Sequence, residues 1–167
     1  MTDVVAELRV GLKDLAAERR GGWTPLSRSE RVTELVALAE TLQVEVVRAV
    51  AGWDRVAAWA EDGAVTAVSW IRSHTGLTRA EATSLVHVAD LYAAHPVVAR
   101  ALDGGDLSLA QAKVLVRARR HRVAPFDGCV AGFVQLAVEL DDIDDFAQVV
   151  AQWVELVDDR PPPDESR

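Results

Sequence analysis

Very little in this sequence can cross-link the chain, span a membrane or build a sheet. Cys129 is the only cysteine, so no internal disulfide can form. A lone thiol in a chain of 167 residues suits a reducing compartment. No apolar run approaches the roughly 20 residues that a membrane helix needs. The opening MTDVVAELRV carries acids where a secretory leader has a basic head and a greasy core. A cytoplasmic protein without a membrane partner is therefore expected. Alternating apolar and polar runs bounded by hairpin turns are missing, as are repeats of fixed period. That argues against sheet proteins and solenoids.

A general excess of positive charge is also lacking. Residues 1 to 138 hold 16 basic and 16 acidic side chains, and residues 139 to 167 hold 2 arginines and 10 acids. The net charge of -8 thus resides in the C-terminal part. A neutral body is not the footprint of a general nucleic-acid binder, whose affinity comes from neutralising phosphates. Local patches are not excluded by this.

What the sequence does contain is helical signal. Val5, Leu8, Leu12 and Leu15 form one stripe in a first helix over 2–20, with Thr2 as its cap and Arg19-Arg20-Gly21-Gly22 as its end. Ser27 and Glu30 have the spacing of a capping box. After them, Val32, Leu35, Ala39, Leu42, Val46, Ala49, Trp53, Val56 and Ala60 step by three and four over about four heptads. This predicts one long helix over 28–60, kinked near Gly52 if it stays within a compact body. Its wide apolar face suits burial in a bundle, while its length also allows a homodimer formed through it.

Glu61-Asp62-Gly63 breaks the chain before a short helix over Thr66–His74, with Gly76 as its expected left-handed end. Thr78/Glu81 and Ser108/Gln111 are two further capping boxes. The first opens a helix with Leu85, Val88, Ala89 and Tyr92 on one face, stopped by His95-Pro96. Pro96 starts a short helix through Leu102, ended by Gly104-Gly105. The second box opens a helix burying Leu109, Ala112, Leu115 and Val116. Pro125 is expected to open the next, with Phe126, Val130, Phe133, Ala137 and Leu140 inward. Asp141, Asp142, Asp144 and Asp145 crowd the start of the last, where the helix dipole favours acids. Its apolar face is expected at Phe146, Val149, Trp153 and Leu156. The fold class is therefore all-α: an irregular bundle of about seven or eight helices, one of them long, over 1–157. Residues 158–167 are read as an acidic, proline-rich tail or linker. The five tryptophans are read as core or seam residues.

Four pieces in the middle of the chain carry a family resemblance. They are Ala67-Val-Ser-Trp70-Ile, Thr75-Gly-Leu-Thr78-Arg-Ala-Glu-Ala82, His95-Pro96-Val-Val-Ala-Arg-Ala-Leu102 and Gly105-Asp-Leu-Ser-Leu-Ala-Gln-Ala-Lys-Val114. In this order and spacing the stretch Ala67–Ala118 resembles the 13E12 repeat family of actinobacteria, a domain of unknown function that usually precedes an HNH endonuclease domain. Weaker similarity extends to about Arg28 and Val157. The resemblance implies an all-α fold. It also implies that any nuclease chemistry belongs to a downstream part, with histidines and an asparagine around a divalent metal. His74, His87, His95 and His121 have no HNH-like context. The chain is thus expected to be a fragment, a separately made domain, or a relative that has lost its nuclease.

Other constellations are thin. Ser84, His87 and Asp90 share a helix face, but nothing supplies the strained turn and oxyanion hole of a triad enzyme. His87 with Asp90 or His95 lacks a third metal ligand at useful spacing. No catalytic residue, metal or cofactor is therefore assigned. Trp70 to Ala82 reads as helix, turn, helix, which would put Arg79 and Thr83 at the front of a reading helix; the scarcity of Asn and Gln there counts against base reading. Lys113, Arg117, Arg119, Arg120 and Arg122, with His121, form the one basic patch. It can touch phosphate, or it can be answered by the acids at Asp141–Asp145. The expected function is that of a non-catalytic helical accessory domain which positions an HNH nuclease and has weak DNA affinity through Lys113–Arg122. The alternative is a stand-alone helix-turn-helix regulator. A hydrolase on Ser84 and His87 ranks last.

Overall fold

The computed structural model describes residues 3–17, 24–140 and 142–158. Among them are eight α-helices, one 3-10 turn and no strand, so the fold is an all-α, multi-helix arrangement. None of these helices is long and apolar enough to cross a membrane. The chain divides into two compact units, residues 1–37 and 38–167.

The first unit holds α1 (Val4–Ala17) and the start of α2 (Pro25–Arg55). Asp3 caps α1, its carboxylate accepting from the N–H groups of Val5 at 3.1 Å and Ala6 at 3.4 Å. The expected cap Thr2 and the expected ending at Arg19–Gly22 lie outside the described residues, as does Trp23. The Ser27/Glu30 box does not form. Thr24 accepts from the N–H of Ser27 instead, and α2 starts at Pro25. Proline suits a first helical position because it has no N–H to leave unsatisfied. Ser27 is consequently three residues inside the helix.

In the second unit, α2 is followed by a 3-10 turn (Ala58–Ala60) and by α3 (Ala67–His74), α4 (Arg79–Ala94), α5 (Pro96–Gly104), α6 (Leu109–Arg119), α7 (Val123–Glu139) and α8 (Ile143–Asp158). The long helix ends at Arg55, before the expected Ala60. Ala57 then takes a left-handed conformation, φ 50°, which no continuing helix allows. The expected seam is corrected too. This unit covers Val44, Val47 and Ala51 of α2, while Leu42 and Val46 stay exposed. Apolar residues cover more than half of this helix's circumference, so spacing alone does not say which side the body takes.

Caps at Thr66, Thr78 and Ser108 set the starts of α3, α4 and α6, each with its reciprocal partner at the third helical position. Gly76 does not end α3. Thr75 does, in an extended conformation, with its hydroxyl donating to the Ile71 carbonyl at 2.8 Å. Gly105, at φ 81°, ends α5 as expected. A second cap on α6 comes from far along the chain: the Glu40 carboxylate of α2 accepts from the Leu109 N–H at 3.0 Å. Gln111 completes the Ser108 box and also donates from its amide to the Ala137 carbonyl of α7, tying α6 to α7.

Helix α6 is the hub, packed against α4, α7 and α8. Its Leu115 and Ala112 join Leu91, Leu107, Phe126 and Phe146 in the main core. Trp153 stands edge-on to Phe133, with ring centres 5.0 Å apart. A smaller cluster gathers Ala67, Ile71, Ala82 and Val86, with Trp53, Trp59 and Trp70 packed on it. Three inward assignments shift. On α6, Val116 is half-buried, and Val114 and Ala118 are buried. On α7, which opens at Val123 and not Pro125, Leu140 is the half-buried cap. On α8, Val149 and Leu156 face outward and Val150 takes the core position. Asp158 closes α8, so the helical body reaches one residue into the expected tail; residues 159–167 lie outside the described residues.

Candidate functional site

The basic patch borders a groove between α4 and α6. One cavity of about 430 Å³ is lined by Thr83, His87 and Asp90 of α4, by Arg117, Arg119 and Arg120, and by His121 and Val123 beyond them. A second, of about 390 Å³, adds Ala80, Ser84 and Lys113. The two share Thr83, His87, Val116, Arg117 and Arg120, and so form one continuous groove. The tertiary structure thus joins two sets of residues that the sequence keeps apart: the basic patch, and the face of α4 that carries Thr83, Ser84, His87 and Asp90. Arg79 is exposed at the start of α4 and is not among the lining residues.

The five cations of the patch are not equivalent. Arg122 is engaged by Asp158, with Nε donating to Oδ1 at 2.7 Å and a second bond from the guanidinium to Oδ2. That pairing raises the Arg122 pKa and lowers that of Asp158, the hydrogen bonds being the main cause. Arg119 is half-buried with its Nε 3.6 Å from Asp127 Oδ1. Among the described residues, Asp142, Asp144 and Asp145 form no ion pair with the patch. Asp142 instead caps α8, accepting from the N–H groups of Asp144 and Asp145; Asp141 lies outside the described residues. The local field of the helix start holds those acids where they are.

Lys113, Arg117 and Arg120 are exposed and have no acidic partner among the described residues. Arg117 only folds back, Nε donating to the Lys113 carbonyl at 3.3 Å. Arginines in the last turn of α6 also complement that helix's dipole, a structural use worth about 0.3–1 kcal/mol each. The groove's two ends differ. Lys113 stands at the Ala80/Ser84 end, and Asp90 at the end formed by Leu91, Arg119 and Val123. Asp90 has its pKa raised, first by loss of water around it and then by the nearby Asp54, with His87 and Arg119 opposing.

Two further features escaped the sequence reading. His121 has φ 67°, left-handed backbone that glycine would adopt without strain, and its side chain borders the groove. Val123 begins α7, whose start has no side-chain cap. The only signal for either was the interruption between two helical patterns.

Compared with known proteins, the chain matches no family model, no curated protein and no solved structure. The chemistry of the groove must therefore be read from its residues.

Ser84, His87 and Asp90 make no hydrogen bonds with one another among the described residues. No group of three or more His, Cys, Asp or Glu there is placed to hold a metal ion. His95, weighed above as a metal ligand, is buried outside the groove. It packs edge-on to Phe126, with Nε2 3.3 Å from Asp127 Oδ1 but without hydrogen-bond geometry. Burial lowers its pKa, against the pull of Asp127. What the groove offers is three available cations, two hydroxyls, one carboxylate and apolar walls from Leu91, Val116 and Val123. That set is complementary in charge to an anionic ligand.

Proposed function

We propose that this chain is a non-catalytic helical accessory domain that works by touching nucleic acid, its contact being the α6 side of the groove. Lys113, Arg117 and Arg120 would meet phosphate; Arg122, hydrogen-bonded to Asp158, and Arg119, half-buried near Asp127 without a hydrogen bond to it, would contribute less. The single observation carrying this reading is the trio of exposed cations that no described acid answers. The resemblance to the 13E12 repeat family supplies the setting, a cytoplasmic protein in which such a domain positions an HNH nuclease. The experiment is duplex DNA binding at increasing salt. Three phosphate contacts predict a slope of log K against log salt of about -2.7. Arg117→Ala/Arg120→Ala should remove about two-thirds of it. No binding at low salt would refute the reading.

The helix-turn-helix alternative rests on Arg79. Thr83 is turned into the groove beside α6, and Glu81 is occupied by the Thr78 cap, which lowers its pKa. Sequence-selective binding lost in Arg79→Ala would favour it.

A second copy of the chain remains a proposed partner. Leu38, Leu42 and Val46 follow one another at fourth positions on α2 and are 55%, 46% and 43% exposed. A strictly monomeric mass in solution would end that proposal.

A further inference from the structure

The groove between α4 and α6 has a polarity that a uniform anion does not explain. Along α4 it runs from Ala80 to Leu91, about 16 Å at 1.5 Å per residue. Lys113 lies at one end and Arg117 and Arg120 line the shared middle; at the other end the Asp90 carboxylate stands with His121 and with Arg119, whose charge is answered by Asp127 at 3.6 Å. A row of duplex phosphates laid along this groove would meet an anion at Asp90. Inorganic phosphate would use the cations and leave the rest of the cavity empty. A ligand with a phosphate at one end and N–H or O–H donors at the other meets complementary groups throughout. Val116 in the middle and Leu91 and Val123 at the Asp90 end offer a flat ring an apolar surface. The 430 Å³ of the larger cavity lies in the range of small-ligand sites.

We propose that this groove holds one unpaired nucleotide, its phosphate against Lys113, Arg117 and Arg120 and its base or sugar donors to the Asp90 carboxylate. The proposal rests on reading the α6 cations as phosphate contacts, and it adds a class of ligand to that reading. Pairing and stacking hold each base of a duplex in the helix and use one hydrogen of each amino group, whereas a single strand or a free nucleotide can bring the whole Watson–Crick edge into the cavity. Carboxylates accept from exocyclic amino groups such as cytosine N4. Bases with an amino group are therefore preferred over thymine.

The test uses the full chain and measures anisotropy of a labelled single-stranded 12-mer and of its duplex at fixed low salt. The four deoxynucleoside monophosphates and inorganic phosphate serve as competitors. The single strand is expected to bind at least fivefold more tightly than the duplex, with the monophosphates competing better than phosphate. Asp90→Ala decides between site and surface charge. Removing an anion from a merely basic surface strengthens binding to both DNAs. Here the same change must weaken single-strand binding about fivefold while duplex binding holds or rises. Asp90 is exposed on α4, so the variant should fold. Competition by the monophosphates makes a free nucleotide sufficient; displacement by strands alone assigns the groove to an unpaired base within a strand. Equal competition by phosphate, or an Asp90→Ala variant with unchanged or tighter single-strand binding, overturns the proposal. In that event Arg117→Ala/Arg120→Ala still reports separately on the cation reading. Absence of binding by both DNAs and by the monophosphates would overturn both.

Discussion

Arg122 and Asp158, 36 residues apart in the chain, meet through two hydrogen bonds that join the start of α7 to the last residue of α8. The arginine at the end of the basic patch is therefore a clamp. Arg122→Ala should speed amide exchange in the last turn of α8 and leave the salt dependence of DNA binding unchanged. The pairing lowers the Asp158 pKa, so its contribution is present above the ordinary aspartate value of about 3.9. It is lost as pH falls through the depressed folded value. The protection factor in that turn, corrected for the intrinsic pH dependence of exchange, should fall in acid in the parent protein and no longer do so in Asp158→Asn.

Glu40 caps α6 from α2, across 69 positions of sequence. Glu40→Ala leaves the Leu109 N–H without its partner and should cost about 1 kcal/mol, the usual worth of a lost helix cap. Urea denaturation followed by circular dichroism would read it as a lower midpoint with an unchanged slope. An unchanged midpoint would mean that water replaces the carboxylate at no cost.

Ala57 and His121 both occupy left-handed backbone, at φ 50° and 67°. Glycine adopts that conformation without the Cβ clash, so Ala57→Gly should stabilise by about 1 kcal/mol in spite of its greater freedom when unfolded. His121→Gly should stabilise similarly while removing a ring from the groove. A gain in melting temperature together with weaker nucleotide binding would assign His121 to the ligand. A gain with no change in binding would leave it a structural position.

His95 and Asp90 impose opposite pH trends. Burial lowers the His95 pKa below its ordinary value of about 6.5, so its contribution is full above that value and is lost as pH falls through the folded pKa. Asp90 is raised, so its contribution is full below about 3.9 and is lost as pH rises through its folded value. Asp90→Asn should therefore gain stability chiefly at neutral pH. His95→Gln should flatten the loss of stability as pH falls below 6.5. Denaturation midpoints from pH 4 to 8 would check both signs.

Local chemistry made most of the fold legible. Thr78 with Glu81 and Ser108 with Gln111 are read from four consecutive residues each, and both boxes form where the spacing placed them. The end of α5 at Gly105 is local in the same way. Misassignments fell where a position is chosen by a distant neighbour. The covered side of α2 follows from which residues α4 and α6 bring to it, and its apolar stripe was wide enough to fit two answers. Val149 and Val150 are adjacent and equally apolar, and only the packing of α8 on α6 puts the second inside.

The groove divides along the same line. Residue order alone determined that five cations cluster at the end of one helix, and that Thr83, Ser84, His87 and Asp90 share a face of another, because side-chain direction on a helix follows from spacing. The tertiary structure decided that these two faces meet, that Arg119 and Arg122 are taken up by Asp127 and Asp158, and that Lys113, Arg117 and Arg120 are left to the solvent. Ion pairing depends on distances between residues far apart in the chain, and those distances come into being only when α4, α6, α7 and α8 pack together.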